Sequence, residues 1–251
     1  MSIGTRQGGI LSPYLFSRYI RDLLHEVVQS GYGCCIGGVM LNVLAYAGDI
    51  VLMAPSWRAM QDLLQLLDRL STNVNMTCSI KKTMCMVFQL KQRSKIVAIS
   101  FPPLKLGNEY LQYVSTLKYL GHVIDCTLTN DLHIQREICN MFMRMNMLLW
   151  RFSKCSWAVK ISLFKSYCMC LYDAALWTTY NNGIMSKLAA CYNRCIKTFF
   201  GFRRRDSVTQ IFYLTLICQV LALFYGTVRL FFCVCGWTVQ TVLFHTFGGL
   251  L

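Results

Sequence analysis

The sequence predicts an α+β protein, because helical and strand-like segments alternate over its first 125 residues, three amphipathic helices follow, and the chain closes on a stretch almost without charge. Its 251 residues hold one large domain or two smaller ones. Hydrophobic residues make up 55% and charged residues 14%, which excludes a disordered chain, a collagen or a coiled coil. Twenty-five Lys and Arg against 11 Asp and Glu leave a net charge of +14. That balance points to a polyanionic partner, either nucleic acid or an acidic membrane face.

The first helix is announced by Ser12-Pro13, with Ser at the N-cap and Pro at the first helical position; Phe16, Ile20, Leu23 and Val27 then recur at helical spacing until Gly31 and Gly33 stop it. Val39 to Ala54 is rich in Val, Leu and Ile around a small Ala47-Gly48 centre, the pattern of a β-hairpin with a tight turn. A second helix is expected from about Trp57 to Leu70, with Met60, Leu64 and Leu67 on one face, and a further strand from Thr83 to Phe88. After Pro102-Pro103, Lys118 to Ile124 reads as a strand or hairpin.

Three helices follow, patterned on Ile134 to Phe152, Trp157 to Leu171 and Met185 to Phe199. Their polar faces carry Arg136, Asn140, Arg144, Arg151, Lys160, Lys165, Lys187, Arg194 and Lys197, a basic wall that could track phosphates or simply be solvated. From Ser207 onward the only fully charged residue is Arg229. The uncharged run within 208–244, preceded by Arg203-Arg204-Arg205, has the length and basic flank of a membrane span, although Gln210, Gln219 and Arg229 interrupt it. A buried helix or an ill-folded end are the competing readings of this tail.

The chain opens on Met1 to Arg6 with no apolar signal segment, so its 14 cysteines are read as reduced thiols. No Cys-x-x-Cys pair occurs and the four histidines lie far apart, which argues against a zinc site.

Four segments carry the chemistry, in a fixed order: Gly4-Thr5-Arg6-Gln7-Gly8-Gly9-Ile10-Leu11-Ser12-Pro13-Tyr14-Leu15-Phe16, then Tyr46-Ala47-Gly48-Asp49, then Lys81-Lys82-Thr83, then Lys118-Tyr119-Leu120-Gly121. Together they closely resemble the reverse transcriptase of non-LTR (LINE-type) retrotransposons, over about residues 3 to 206. The resemblance implies a partial palm over residues 1–125 and an α-helical thumb over 126–206; the hydrophobic tail, 207–251, lies outside it. It implies RNA and DNA as partners, in the form of a primer-template duplex, and Mg²⁺ as cofactor. Nucleotide joining in such a site uses two cations held by carboxylates. On the family's pattern Asp49 is the remaining acid of the turn and a metal ligand, and Lys82 is the catalytic lysine placed near the pyrophosphate. Arg6, Gln7, Gly8 and Tyr46 face template, phosphate and incoming nucleotide, while Tyr119, Leu120 and Gly121 hold the primer end. A nuclear or cytoplasmic location is expected.

The pattern also breaks. Gly48 stands where the family has the first acid of the turn, and Ser79 where it has Asn. The family's further metal-binding aspartate, on a strand upstream of Gly4, is expected to be absent along with the fingers. One carboxylate in place of three predicts a chain without polymerase activity, and a palm lacking its first strands predicts open sheet edges and marginal stability. Two alternatives remain: a basic nucleic-acid-binding remnant without catalysis, or a small membrane protein defined by its tail.

Overall fold

The computed structural model describes residues 9–88, 101–209, 211 and 241–246. The chain divides into two units, Met1–Tyr119 with Gly236–Leu251, and Leu120–Cys235.

In the first unit the single helix expected from Ser12 is two: α1 (Ser12–Tyr19) and α2 (Arg21–Gln29). Leu11, not Ser12, is the N-cap of α1, and the break falls at Ile20 (φ −88°, ψ −1°), which is at once the C-cap of α1 and the N-cap of α2. The break lets Ile20, Leu23 and Val27 bury while α1 has no fully buried residue. Two short strands, β1 (Cys34–Ile36) and β2 (Val39–Leu41), pair antiparallel about Gly37-Gly38, a hairpin absent from the sequence reading. Asn42 then separates β2 from β3 (Val43–Tyr46). Its buried side chain donates to the carbonyls of Val27 (2.7 Å) and Tyr32 (2.9 Å). Those bonds tie the end of α2 to the sheet.

The expected hairpin is β3 with β4 (Asp49–Ala54), in register Tyr46↔Asp49 to Val43↔Leu52. β4 is buried from Ile50 to Ala54. Ile50, Leu52 and Ala54 enter the main core of the unit, with Leu23, Val27 and the apolar face of α3 (Trp57–Asn73); Val51 and Met53 pack with Leu41, Phe88 and Tyr119. α3 starts on Ser56, whose hydroxyl accepts from the Ala59 amide (3.2 Å), and runs three residues past its expected end at Leu70. A 3-10 turn, Ile80–Lys82, leads into β5 (Met84–Val87). Four short strands close this part: β6 (Lys105–Leu106), β7 (Glu109–Tyr110), β8 (Gln112–Tyr113) and β9 (Thr116–Tyr119). The Gln61 amide grips the Lys105 backbone through both its oxygen (2.9 Å) and its nitrogen (2.8 Å), which fixes β6 against α3.

In the second unit β10 (His122–Asp125) precedes α4 (Asp131–Phe152), α5 (Trp157–Cys168) and α6 (Asn182–Phe200); α5 ends three residues short of its expected end at Leu171, and a 3-10 segment, Tyr172–Leu176, follows. The three apolar faces meet in one core through Ile134, Ile138, Met141, Met145 and Leu148 of α4, Phe164 and Cys168 of α5, and Leu188, Tyr192, Cys195 and Phe199 of α6. Phe164 lies edge-on to Tyr192 at 5.6 Å between centroids, the favoured offset geometry for such pairs. Asn130 accepts from the amides of Thr178 (3.1 Å) and Thr179 (3.2 Å), and Asp131 from that of Asn181 (2.8 Å). These bonds staple the start of α4 to the loop before α6.

The tail supplies one described strand, β11 (Thr241–Thr246), which lies antiparallel between β4 and β5. The sheet order is therefore β3-β4-β11-β5-β8, and the open edge expected beside the hairpin is paired by the far end of the chain. Among the described residues no helix is long and apolar enough to cross a membrane; most of the proposed span, within 208–244, lies outside them. The 11 described cysteines are free thiols, and burial pushes Cys85 and Cys168 up to about 12, so both stay protonated.

Replacing Asn42 with Ala removes two buried donors and leaves the Val27 and Tyr32 carbonyls without them. The expected cost is about 1–3 kcal/mol, read as a lower urea midpoint of the full chain at unchanged slope.

Candidate functional site

The turn between β3 and β4 has only two residues, Ala47 and Gly48, since Tyr46 pairs directly with Asp49. Its left-handed backbone falls on Ala47 (φ 49°), which costs a residue with a Cβ about 1–2 kcal/mol. Strain of this kind concentrates where surrounding packing holds a turn in one geometry. Here the anchor is β4, whose buried residues fix the strand that presents Asp49. Tyr46 is 65% exposed at the rim, and Asp49 is half-buried beside it.

Tyr119, at the end of β9, packs on Val51 and Met53 of the same hairpin. Burial raises its phenol above the ordinary value, and the Asp49 carboxylate raises it further. Tyr46, Asp49 and Tyr119, some 70 residues apart in sequence, thus converge on one end of one hairpin.

Within the first unit, Lys82 is not part of that convergence. Lys82 is exposed at the end of the 3-10 turn before β5, a turn closed by the Lys82 amide on the Ser79 carbonyl (3.1 Å). β11 stands between its strand and β4, which sets the two strands about 10 Å apart. Leu120 and Gly121 open the second unit as a turn with φ of 46° and 92°, the positive pair that a two-residue type I′ turn requires. The Arg136 guanidinium donates to the Gly121 carbonyl. Arg6, Gln7 and Gly8 lie outside the described residues.

Among the described residues the group of three side chains close enough to share a cation is His122, His133 and Asp173, not a set around Asp49. Sequence reasoning missed it because the three residues sit on β10, α4 and the 3-10 segment, at spacings that match no ligand motif. His122 Nδ1 and His133 Nε2 lie 3.2 and 3.4 Å from one Asp173 carboxylate oxygen, and the two rings stack at 3.9 Å. The Val123 amide donates to His133 Nδ1 (3.1 Å). That nitrogen therefore carries the lone pair, and in the neutral ring the proton is on Nε2, facing Asp173. A cation at Nε2 would need the lone pair that the tautomer denies it; the hydrogen bond within the group runs between His122 and Asp173, and His133 Nε2 itself makes none. Burial, then His122, lower the His133 pKa, while Asp173 opposes them.

Residues 2–124 match the family described as reverse transcriptase (RNA-dependent DNA polymerase). Over 208 residues the chain is 26% identical to a probable RNA-directed DNA polymerase from transposon BS of Drosophila melanogaster. The alignment covers 78% of this chain and 22% of that protein, so the chain spans about a fifth of the relative's length.

Two outcomes test this geometry. Asp49→Asn is expected to lower the Tyr119 phenol pKa toward its ordinary value, followed by NMR of ring-labelled tyrosine with Tyr119→Phe as the assignment; an unchanged titration would separate the two residues. For His133, long-range nitrogen–proton NMR should show the Nε2–H tautomer, with Asp173→Asn lowering its pKa further. Because the unfolded imidazole takes up its proton at higher pH than the folded one, stability should fall as pH drops through about 6.5.

Proposed function

We propose that the chain is a partial RNA-directed DNA polymerase of the non-LTR (LINE-type) retrotransposon kind, catalytically inactive as it stands. On this reading the first unit is palm-like, α4 to α6 are thumb-like, and the partners are RNA and DNA. The resemblance of four ordered motifs and the match of residues 2–124 support the polymerase ancestry. The observation that carries the inactivity is the turn itself: Tyr46-Ala47-Gly48-Asp49 offers one carboxylate, with glycine in the place of the first acid.

The donor set does not fit a pair of Mg²⁺ ions. Mg²⁺ demands near-octahedral oxygen ligation and sheds its waters reluctantly, and two ions a few ångströms apart need bridging carboxylates to hold their mutual repulsion. Asp49 alone cannot bridge and ligate both. Among the described residues it has no place in a three-ligand cluster. Tyr119 beside it contributes a phenol that burial keeps protonated and therefore a weak metal ligand.

The test is primer extension. Purified full-length chain, given oligo(dT) on poly(rA) with dTTP and Mg²⁺ or Mn²⁺, is expected to add no nucleotide above a buffer blank. Gly48→Asp alone should not restore addition. Extension by the unaltered chain would overturn the reading.

A further inference from the structure

Several basic residues of the second unit make contacts within it. Arg144 lies 3.6 Å from Glu137, Arg136 donates to the Gly121 carbonyl, Arg151 stands over the Trp150 ring, and Lys160 reaches the Phe199 carbonyl and ring. Lys187, Arg194, Lys197 and Arg204 instead gather round one cavity of about 750 Å³, and no acidic residue lines it.

Local structure explains the gathering. Lys187, Arg194 and Lys197 recur on α6 at steps of seven and three, which places them on one side of the helix. Gly201 ends α6 in the left-handed conformation (φ 78°) and turns the chain back on itself. Lys197 Nζ then donates to the Arg204 carbonyl (3.0 Å), which brings Arg204 to the rim. Phe142 of α4 and Phe202, just past the turn, supply ring surface to the walls, and the Arg194 guanidinium lies 5.7 Å from the centre of the Phe142 ring.

We propose that this cleft between α4 and α6 binds a single nucleic-acid strand, its phosphates on Lys187, Arg194, Lys197 and Arg204 and a base against Phe142 or Phe202. The proposal rests on the nucleic-acid reading above and adds which surface engages which form of the polymer. Like charges collected without a counter-charge favour a polyanion. Concavity chooses between forms: a duplex presents its phosphates on a convex cylinder with its bases stacked inside, whereas a strand can bend into a cleft and lay an unstacked base on an aromatic ring. The volume is of ligand-cleft size.

Fluorescence anisotropy with the full chain decides it, using labelled decauridylate, decathymidylate and a ten-base-pair RNA–DNA duplex. Four phosphate contacts on a strand give a log–log salt slope of about −2.8, or about 50-fold weaker binding at 200 mM than at 50 mM salt. Lys187→Ala with Arg194→Ala, both exposed positions, should weaken strand binding at least tenfold at 50 mM salt. The same double variant should reduce the slope to about −1.4. Lys154→Ala with Lys165→Ala, exposed and outside the cleft, removes equal charge and should stay within twofold of the unaltered chain. Far-ultraviolet circular dichroism of both variants confirms the fold, and Lys187→Glu alone provides a second, single-site reading of the same slope. Equal losses in the two double variants, no loss in the first, or tighter binding of the duplex than of either strand would overturn the cleft assignment. Failure of the unaltered chain to bind any of the three probes would overturn the broader nucleic-acid reading as well.

Discussion

The strand Asp49–Ala54 is buried on both faces, and most of the first unit follows from covering it. A strand in that position needs apolar layers above and below and ladder partners on each edge, since a buried unpaired amide or carbonyl is costly. One layer comes from α2 and α3, the other from Leu41, Phe88 and Tyr119. The edges are taken by β3 and β11. Asp49 inherits its position from this arrangement. It is the first residue of a strand that cannot move without disturbing both layers, which is how an exposed two-residue turn comes to hold a half-buried carboxylate beside Tyr119.

The second unit solves a different problem with three helices and one continuous core. Its charged residues are sorted by that packing. Where a cation lies near a helix crossing or a chain turn it is drawn into an internal contact, as Arg136 and Lys160 are. Where α6 runs past α4 with no acid in the lining, the cations remain as a lining. The same basic wall read from the sequence thus contains residues drawn into contacts within the unit and residues that line a cleft, a division that periodicity cannot express because both kinds occupy the polar face of an amphipathic helix.

Two histidines illustrate how a local hydrogen bond decides chemistry. His122, His133 and Asp173 have a donor set and spacing that a metal site would share, yet one backbone amide, that of Val123, settles the tautomer of the buried ring. The proton it leaves on Nε2 takes away the lone pair with which that nitrogen would bind a cation. The outcome depends on a single backbone donor ten residues before the ring it fixes.

Residue order alone established a great deal. The hairpin around Ala47-Gly48, the helix after Ser56 and the three helices after Asn130 were legible because hydrophobic periodicity and capping residues are local signals. The missing acid at Gly48 was equally plain, since it needs only the motif. Tertiary structure decided what depends on distant partners. The break at Ile20 reflects which side chains the sheet could bury, the pairing of β11 between β4 and β5 joins segments more than 150 residues apart, and the meeting of Asp49 with Tyr119 and the four-cation cleft exist only once helices and strands have packed. Local propensity reaches a few residues along the chain. Contacts across a core are set by which faces must be hidden together, and that choice is made by the whole fold.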